Sequence, residues 1–176
     1  MSRSKFVDEA VSDWSRIRPE INLTAMEAIQ RLVWSGRLAE DILERTAIAS
    51  GLRRRGDYEV LAVLRRAQPA LLTPVEVAQQ LQTSPSGMTG KLDRLEEQGL
   101  IKRTQDPDDR RAIRLDITDT GQTVISDAFD SSITVYQAML ADFTPNEARS
   151  LDALLNKARE IICNNQPEEN CGTQIR

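Results

Sequence analysis

Residues 84–111 read SPSGMTGKLDRLEEQGLIKRTQDPDDRR. The serine–proline pair predicts a helix start. Ser84 can accept a free amide of the first turn, and Pro85 suits the first helical position, where no amide is needed. Met88, Leu92 and Leu95 recur at spacings of four and three, so they share one apolar face. Ser86, Gly87, Thr89, Gly90, Lys91 and Arg94 fall mostly outside that face, and all are small, hydroxylated or basic. Gly99 stops the helix, because only glycine takes the left-handed conformation of a helix end without a steric cost. Leu100 to Thr104 and Ala112 to Thr118 alternate well enough to pair as strands. Gln105 to Arg111 lies between them, a turn-forming segment that ends in two arginines.

Working outward, Thr73, Pro74 and Glu76 form a capping box with proline at the first helical position. The helix they open runs through Leu81, and Thr83-Ser84-Pro85 turns the chain into the next one. A supporting helix, a tight turn, a slim donor-rich second helix and a basic hairpin suit a DNA groove. Base edges and phosphates both offer acceptors there.

The remaining chain reads as helix. Residues 4–18 place Phe6, Val7, Ala10, Val11, Trp14 and Ile17 on one side, and Pro19 ends the run. Thr24 and Glu27 read as a capping box for a long helix that stops at Gly51. Its apolar surface exceeds what support from one side would need, which predicts a partner subunit. Asp57 to Ala67 is a further helix. Thr118-Asp-Thr-Gly121 leads into a helix of about 20 residues by its periodicity. Thr144 and Glu147 form another capping box, for a last helix running to about Cys163, and residues 164–176 are polar.

The expected fold is therefore mainly α with a small two- to three-stranded β wing. It comprises a winged helix-turn-helix over 51–120, flanked by 1–50 and 121–163 as helical dimerisation regions, with 164–176 as a tail. The apolar stripes at both chain ends have no other obvious partner.

Composition agrees. Of 176 residues, 40% are hydrophobic and only 4% aromatic, a balance suited to aliphatic helices. There is no apolar run of transmembrane length and no signal-peptide pattern, so a cytoplasmic location without membrane contact is expected. The chain has no histidine, which removes the commonest general base and metal ligand. No cofactor, metal or catalytic constellation is expected. Net charge is −4, but Arg53 to Arg55, Lys91, Arg94, Lys102, Arg103, Arg110, Arg111 and Arg114 concentrate mid-chain. A local basic patch, and not the global sum, sets a contact field.

The run KLDRLEEQGLIKRTQDPDDRRAIRLDITDTG at 91–121 resembles the signature of MarR-type winged helix-turn-helix repressors. The likeness extends upstream through TPVEVAQQLQTSPSGMTG and, in less detail, covers most of residues 24–163. It implies a homodimer on double-stranded DNA, with the first long helix and the last two at the dimer interface. Two recognition helices would then stand about 34–36 Å apart on a pseudo-palindromic operator. DNA contacts are expected from Ser84, Ser86, Gly87, Thr89, Gly90, Lys91 and Arg94. Gly90 departs from the family pattern, in which a basic residue is common. At the wing, the resemblance makes Arg111 the residue inserted into the minor groove. Arg110 would hold phosphate, and Asp109 would orient the pair.

The resemblance also implies a small anionic or phenolic effector. The segment around Trp14 resembles the urate-responsive branch, whose tryptophan, aspartate and two arginines fall on Trp14, Glu59, Lys91 and Arg103. Glutamate is longer than aspartate, and lysine lacks the guanidinium fork. An anionic or aromatic ligand class follows, without urate being singled out. Trp14 also has a plainer reading, as a core residue pinning the first helix. Two other functions stay open: a winged-helix module that binds protein, and a redox sensor built on Cys163 or Cys171.

Overall fold

The computed structural model describes residues 4–106 and 112–165. The elements run α1 (Ser4–Ile17), α2 (Thr24–Ala49), α3 (Arg55–Ala67), α4 (Pro74–Gln80), α5 (Pro85–Glu97), β1 (Ile101–Gln105), β2 (Ile113–Ile117), α6 (Asp119–Met139) and α7 (Pro145–Asn164). They divide into two compact units, Met1–Arg45 and Thr46–Arg176, with the boundary inside α2. α6 falls in the same unit as α3 to β2.

In the first unit, α1 lies against α2 through Val7 and through Phe6, whose ring meets Trp34 edge-on at 5.6 Å. Arg31 reaches back to Asp8 at 2.7 Å. Trp14 is 49% exposed, so the reading of it as a core residue does not hold. The capping box expected at Thr24 is also absent. Thr24 is already helical, its amide donates to the Asn22 side chain at 3.0 Å, and Glu27 instead accepts from Arg31 at 2.8 Å.

In the second unit, α2 ends as expected. Gly51 takes a φ of 91°, and the Leu52 amide closes onto Ala47 at 3.1 Å. Leu52, Val60, Leu61, Leu64, Val77, Met88, Leu92, Leu95, Ile101, Leu115 and Ile117 then form one core. β1 and β2 pair antiparallel, with Ile101 opposite Ile117 and Gln105 opposite Ile113. The sheet has two strands, and Leu72 adds only an isolated bridge to Leu115. β1 is shifted one residue toward the loop from its expected span, and β2 is one residue shorter than expected at each end.

Gly121 decides how α6 leaves the sheet. A Cβ there would stand 2.0 Å from the Leu100 carbonyl oxygen, so only glycine allows the helix to start against β1. Thr118 fixes the same junction: its hydroxyl donates to Gly99 at 2.7 Å and accepts the Gly121 amide at 3.0 Å. The first half of α6 then buries Ile125, Ala128 and Ser132, at spacings of three and four. No residue of α7 is buried.

Candidate nucleic-acid interface

Three short-range devices place α5. On α4, Thr73 and Glu76 close a complete capping box, with the Thr73 amide 2.7 Å from the Glu76 carboxylate. Donation from the Thr73 amide and hydroxyl holds the Glu76 carboxyl below the usual glutamate range. The turn is made at Gln82, whose φ of 50° is uncommon for a side chain other than glycine or asparagine. On α5, the Ser84 hydroxyl accepts the Gly87 amide at 3.2 Å. Gly87 makes this cap fit, because a Cβ there would crowd the Ser84 and Thr83 hydroxyls at 3.2 and 3.3 Å.

The outer face of the first two turns is slim. Ser84, Ser86, Gly87 and Thr89 are exposed, while Met88, Leu92 and Leu95 are buried beneath them. The Ser84 and Ser86 hydroxyls lie 3.2 Å apart, and Thr89 donates to the Pro85 carbonyl at 3.1 Å, so both acceptors and donors line this turn. Gly90 is partly covered, and a Cβ there would meet only the Arg94 guanidinium, at 3.8 Å.

Lys91 and Arg94 lie differently from the sequence expectation of outward-reaching cations. Lys91 runs across the first turn of α3, and its Nζ is 3.8 Å from Glu59. Gly56 lets it pass, since a Cβ at that position would stand 2.9 Å from the Lys91 Cε. Arg94 turns inward to Asp57, a carboxylate with no exposed surface, at 2.7 Å. Neither Gly56 nor Asp57 was visible as a site residue in the sequence. Their role depends on which face of α3 meets α5, and no local motif encodes that.

At the wing, Arg103 on β1 pairs with Asp93 at 2.6 Å and Glu96 at 3.2 Å, both on α5. The wing root is thereby fastened to the recognition helix. Arg114 on β2 joins Asp106 at 2.5 Å, the Leu71 carbonyl at 3.2 Å and Glu76 at 3.5 Å. It ties the wing to the N-terminus of α4. The loop is pinched where the Asp106 amide donates to Ala112 at 3.0 Å. Asp109, Arg110 and Arg111 lie outside the described residues.

Of the four expected ligand residues, the structure brings together Glu59 and Lys91. Arg103 engages the other flank of α5: Asp93 and Glu96 lie about 140–200° around the helix from Lys91 at 100° per residue. Trp14 belongs to the first unit. A different feature was not legible in the sequence, a cleft of about 380 Å³ between α3 and α6. Tyr58, Arg65 and Arg66 line one wall, Phe129 and Asp130 the other. Burial pushes the Tyr58 hydroxyl above the usual tyrosine range. Cys163 stands in the last turn of α7 and is not a free thiol; Cys171 lies outside the described residues. Among the described residues no acidic or cysteine cluster could hold a metal ion, and no helix is long and apolar enough to cross a membrane.

α4, the turn at Gln82 and α5 form a helix-turn-helix, and β1 with β2 forms an attached two-stranded wing. A MarR-family profile matches residues 50–112, from α3 through β1. The multiple antibiotic resistance protein MarR of Escherichia coli K12 is 30% identical over 102 residues, covering 57% of this chain and 69% of that protein. The chain belongs to the MarR family. The transcriptional regulator PecS of Dickeya dadantii is similar over a longer span, 28% identical across 94% of this chain and 100% of PecS. The fold agrees with a cysteine-to-serine variant of Escherichia coli MarR solved with operator DNA. That likeness has a TM-score of 0.67 at 23% identity and covers 78% of this chain and 98% of that one. As a MarR-family protein the chain is a transcriptional regulator and not an enzyme. The α4–turn–α5 segment and β1–β2 supply the helix-turn-helix and wing of that family.

Proposed function

We propose that this MarR-family regulator acts as a homodimeric repressor on a pseudo-palindromic operator and leaves it when a small anionic or aromatic effector binds. The observation that carries the DNA reading is the exposed first two turns of α5. Ser84, Ser86, Gly87 and Thr89 stand free of the core there, on a helix capped at its N-terminus and fastened to a wing. Hydroxyls on a narrow helix end can approach base edges, and the positive end of the helix dipole favours phosphate. Arg111 is the proposed minor-groove contact and Arg110 the proposed phosphate contact, oriented by Asp109.

Self-association is supported by what α6 and α7 leave uncovered. Phe129, Ile133, Tyr136, Leu154, Leu155 and Ile161 are all more than a third exposed. In the first unit Trp14, Ile17 and Ile29 are likewise open. The effector reading rests on two polar clusters, Glu59 with Lys91 and Arg103 with its α5 carboxylates, and on the arginine-bearing cleft beside α6. An anion that drew Arg103 away from Asp93 and Glu96 would loosen the wing from α5. It would shift the population away from the DNA-competent form.

Fluorescence anisotropy on the DNA upstream of this chain's own coding region tests the reading. Wild type should prefer that DNA to a scrambled duplex. Arg110→Ala/Arg111→Ala should lose most of the affinity and flatten the salt dependence by about two in log–log slope. No preference there or in a genome-wide selection would hand the wing to a protein partner instead. Arg103→Ala should weaken effector release more than DNA binding, and equal loss of both would refute its role as the effector's lever.

A further inference from the structure

Asp57 is the most deeply buried charged side chain among the described residues, fully shielded in the first turn of α3. A carboxylate removed from water persists only with a partner. Arg94 of α5 provides it through two donors of one planar fork: Nη2 to Oδ1 at 2.7 Å and Nε to Oδ2 at 3.5 Å. Such a pair fixes orientation as well as distance. The neighbouring contacts of Glu59 with Lys91 and Arg55, each 3.8 Å long, are beyond hydrogen-bonding range and constrain direction less.

We propose that Asp57 is a positioning residue for DNA recognition. By holding Arg94 against α3 it fixes the rotation of α5 about its axis and keeps the guanidinium off the phosphates. Ser86 and Thr89 are left as the groove-facing surface. This inference rests on the DNA reading above. Apolar packing of Met88, Leu92 and Leu95 sets where α5 sits against the core, and the fork adds a directional contact that resists rotation of the helix about its axis. An Arg94 released from Asp57 would become a mobile cation beside the interface, able to bind any phosphate regardless of sequence.

The test uses the full chain and a duplex obtained by selection with wild type, against a scrambled duplex, across a salt series. Asp57→Asn should reduce the preference for the selected duplex at least ~10-fold. Its binding to scrambled DNA should steepen by about one in log–log salt slope, one added phosphate contact. A loss of stability alone would not produce that steeper slope. Asp57→Leu/Arg94→Met removes both charges while keeping their stems packed, an exchange that buried ion pairs often tolerate. It should return the preference to within about threefold of wild type and the slope to the wild-type value.

Unchanged preference and slope in Asp57→Asn would overturn the proposal. So would a folded double variant, checked by circular dichroism, that still lacks preference, because Arg94 would then be touching DNA itself. Should Asp57→Asn not fold, the double variant decides alone. A wild type with no selected sequence would overturn the DNA reading and this proposal together, an outcome separate from the other two.

Discussion

Helices α5 and α7 begin alike and end up in opposite environments. Each has a hydroxyl at the N-cap, a proline at the first position and a periodic apolar stripe. The α5 stripe of Met88, Leu92 and Leu95 is wholly buried, whereas Leu154, Leu155, Ile161 and Ile162 of α7 are all more than two-fifths exposed. The difference teaches that capping and periodicity build a helix, but only a facing surface turns its stripe into a core. For α5 that surface comes from α3, α4 and β1 of the same unit. For α7 the proposed surface is a second copy.

The comparison can be broken most sharply at Gly121, where the winged domain hands over to α6. Gly121→Ala should destabilise the second unit by about 3 kcal/mol, since the added methyl meets a backbone carbonyl that cannot move aside. Urea unfolding would register it as a lower midpoint, and a wild-type midpoint would mean the α6 start is looser than the structure has it.

At α7 the expectation reverses. Leu154→Asp should leave monomer folding nearly intact and weaken self-association by about 2 kcal/mol, roughly thirtyfold in dissociation constant. Sedimentation equilibrium would show the shift to monomer. A variant that unfolds while staying dimeric would place Leu154 in an intramolecular core.

Caps should matter equally in both regions, being local. Thr73→Ala should cost about 1 kcal/mol, read by thermal melting. The pH dependence follows from the direction of the shift. The Glu76 and Glu147 carboxyls are held below the usual glutamate value by threonine donors. Their contribution is therefore complete above the unfolded glutamate value and lost as pH falls through the lower folded one. Glu76→Gln should flatten the acid side of the melting profile, and a profile parallel to wild type would deny the carboxylate its role.

The smallest effect is expected at Gly90. Gly90→Ala should stabilise the protein by up to about 1 kcal/mol through helix propensity, because the new methyl meets only the Arg94 guanidinium at ordinary contact distance. Lower stability would show that the clamp on Arg94 needs the space.

Much of the site could be read locally. Ser84 and Pro85 opened α5, Gly99 closed it with a φ of 69°, and Thr73 with Glu76 capped α4 as their spacing requires. Thr24 misled because Asn22, two residues earlier, competes for the same amide and Arg31 takes the glutamate. Arg94 and Lys91 misled for a different reason. Both belong to the polar side of α5, yet α3 covers part of that side and brings Asp57 and Glu59 to meet them.

The sequence by itself determined the order of helices and strands and their ends to within a few residues, which stripe of each is apolar, and the family to which the pattern belongs. These depend on interactions within a few residues. Tertiary structure alone decided that Asp57 would be buried, that Gly56 and Gly121 must lack a side chain, and that Arg103 would link the wing to α5. Each depends on two segments distant in sequence meeting at one angle, and that angle is set by the packing of the whole core.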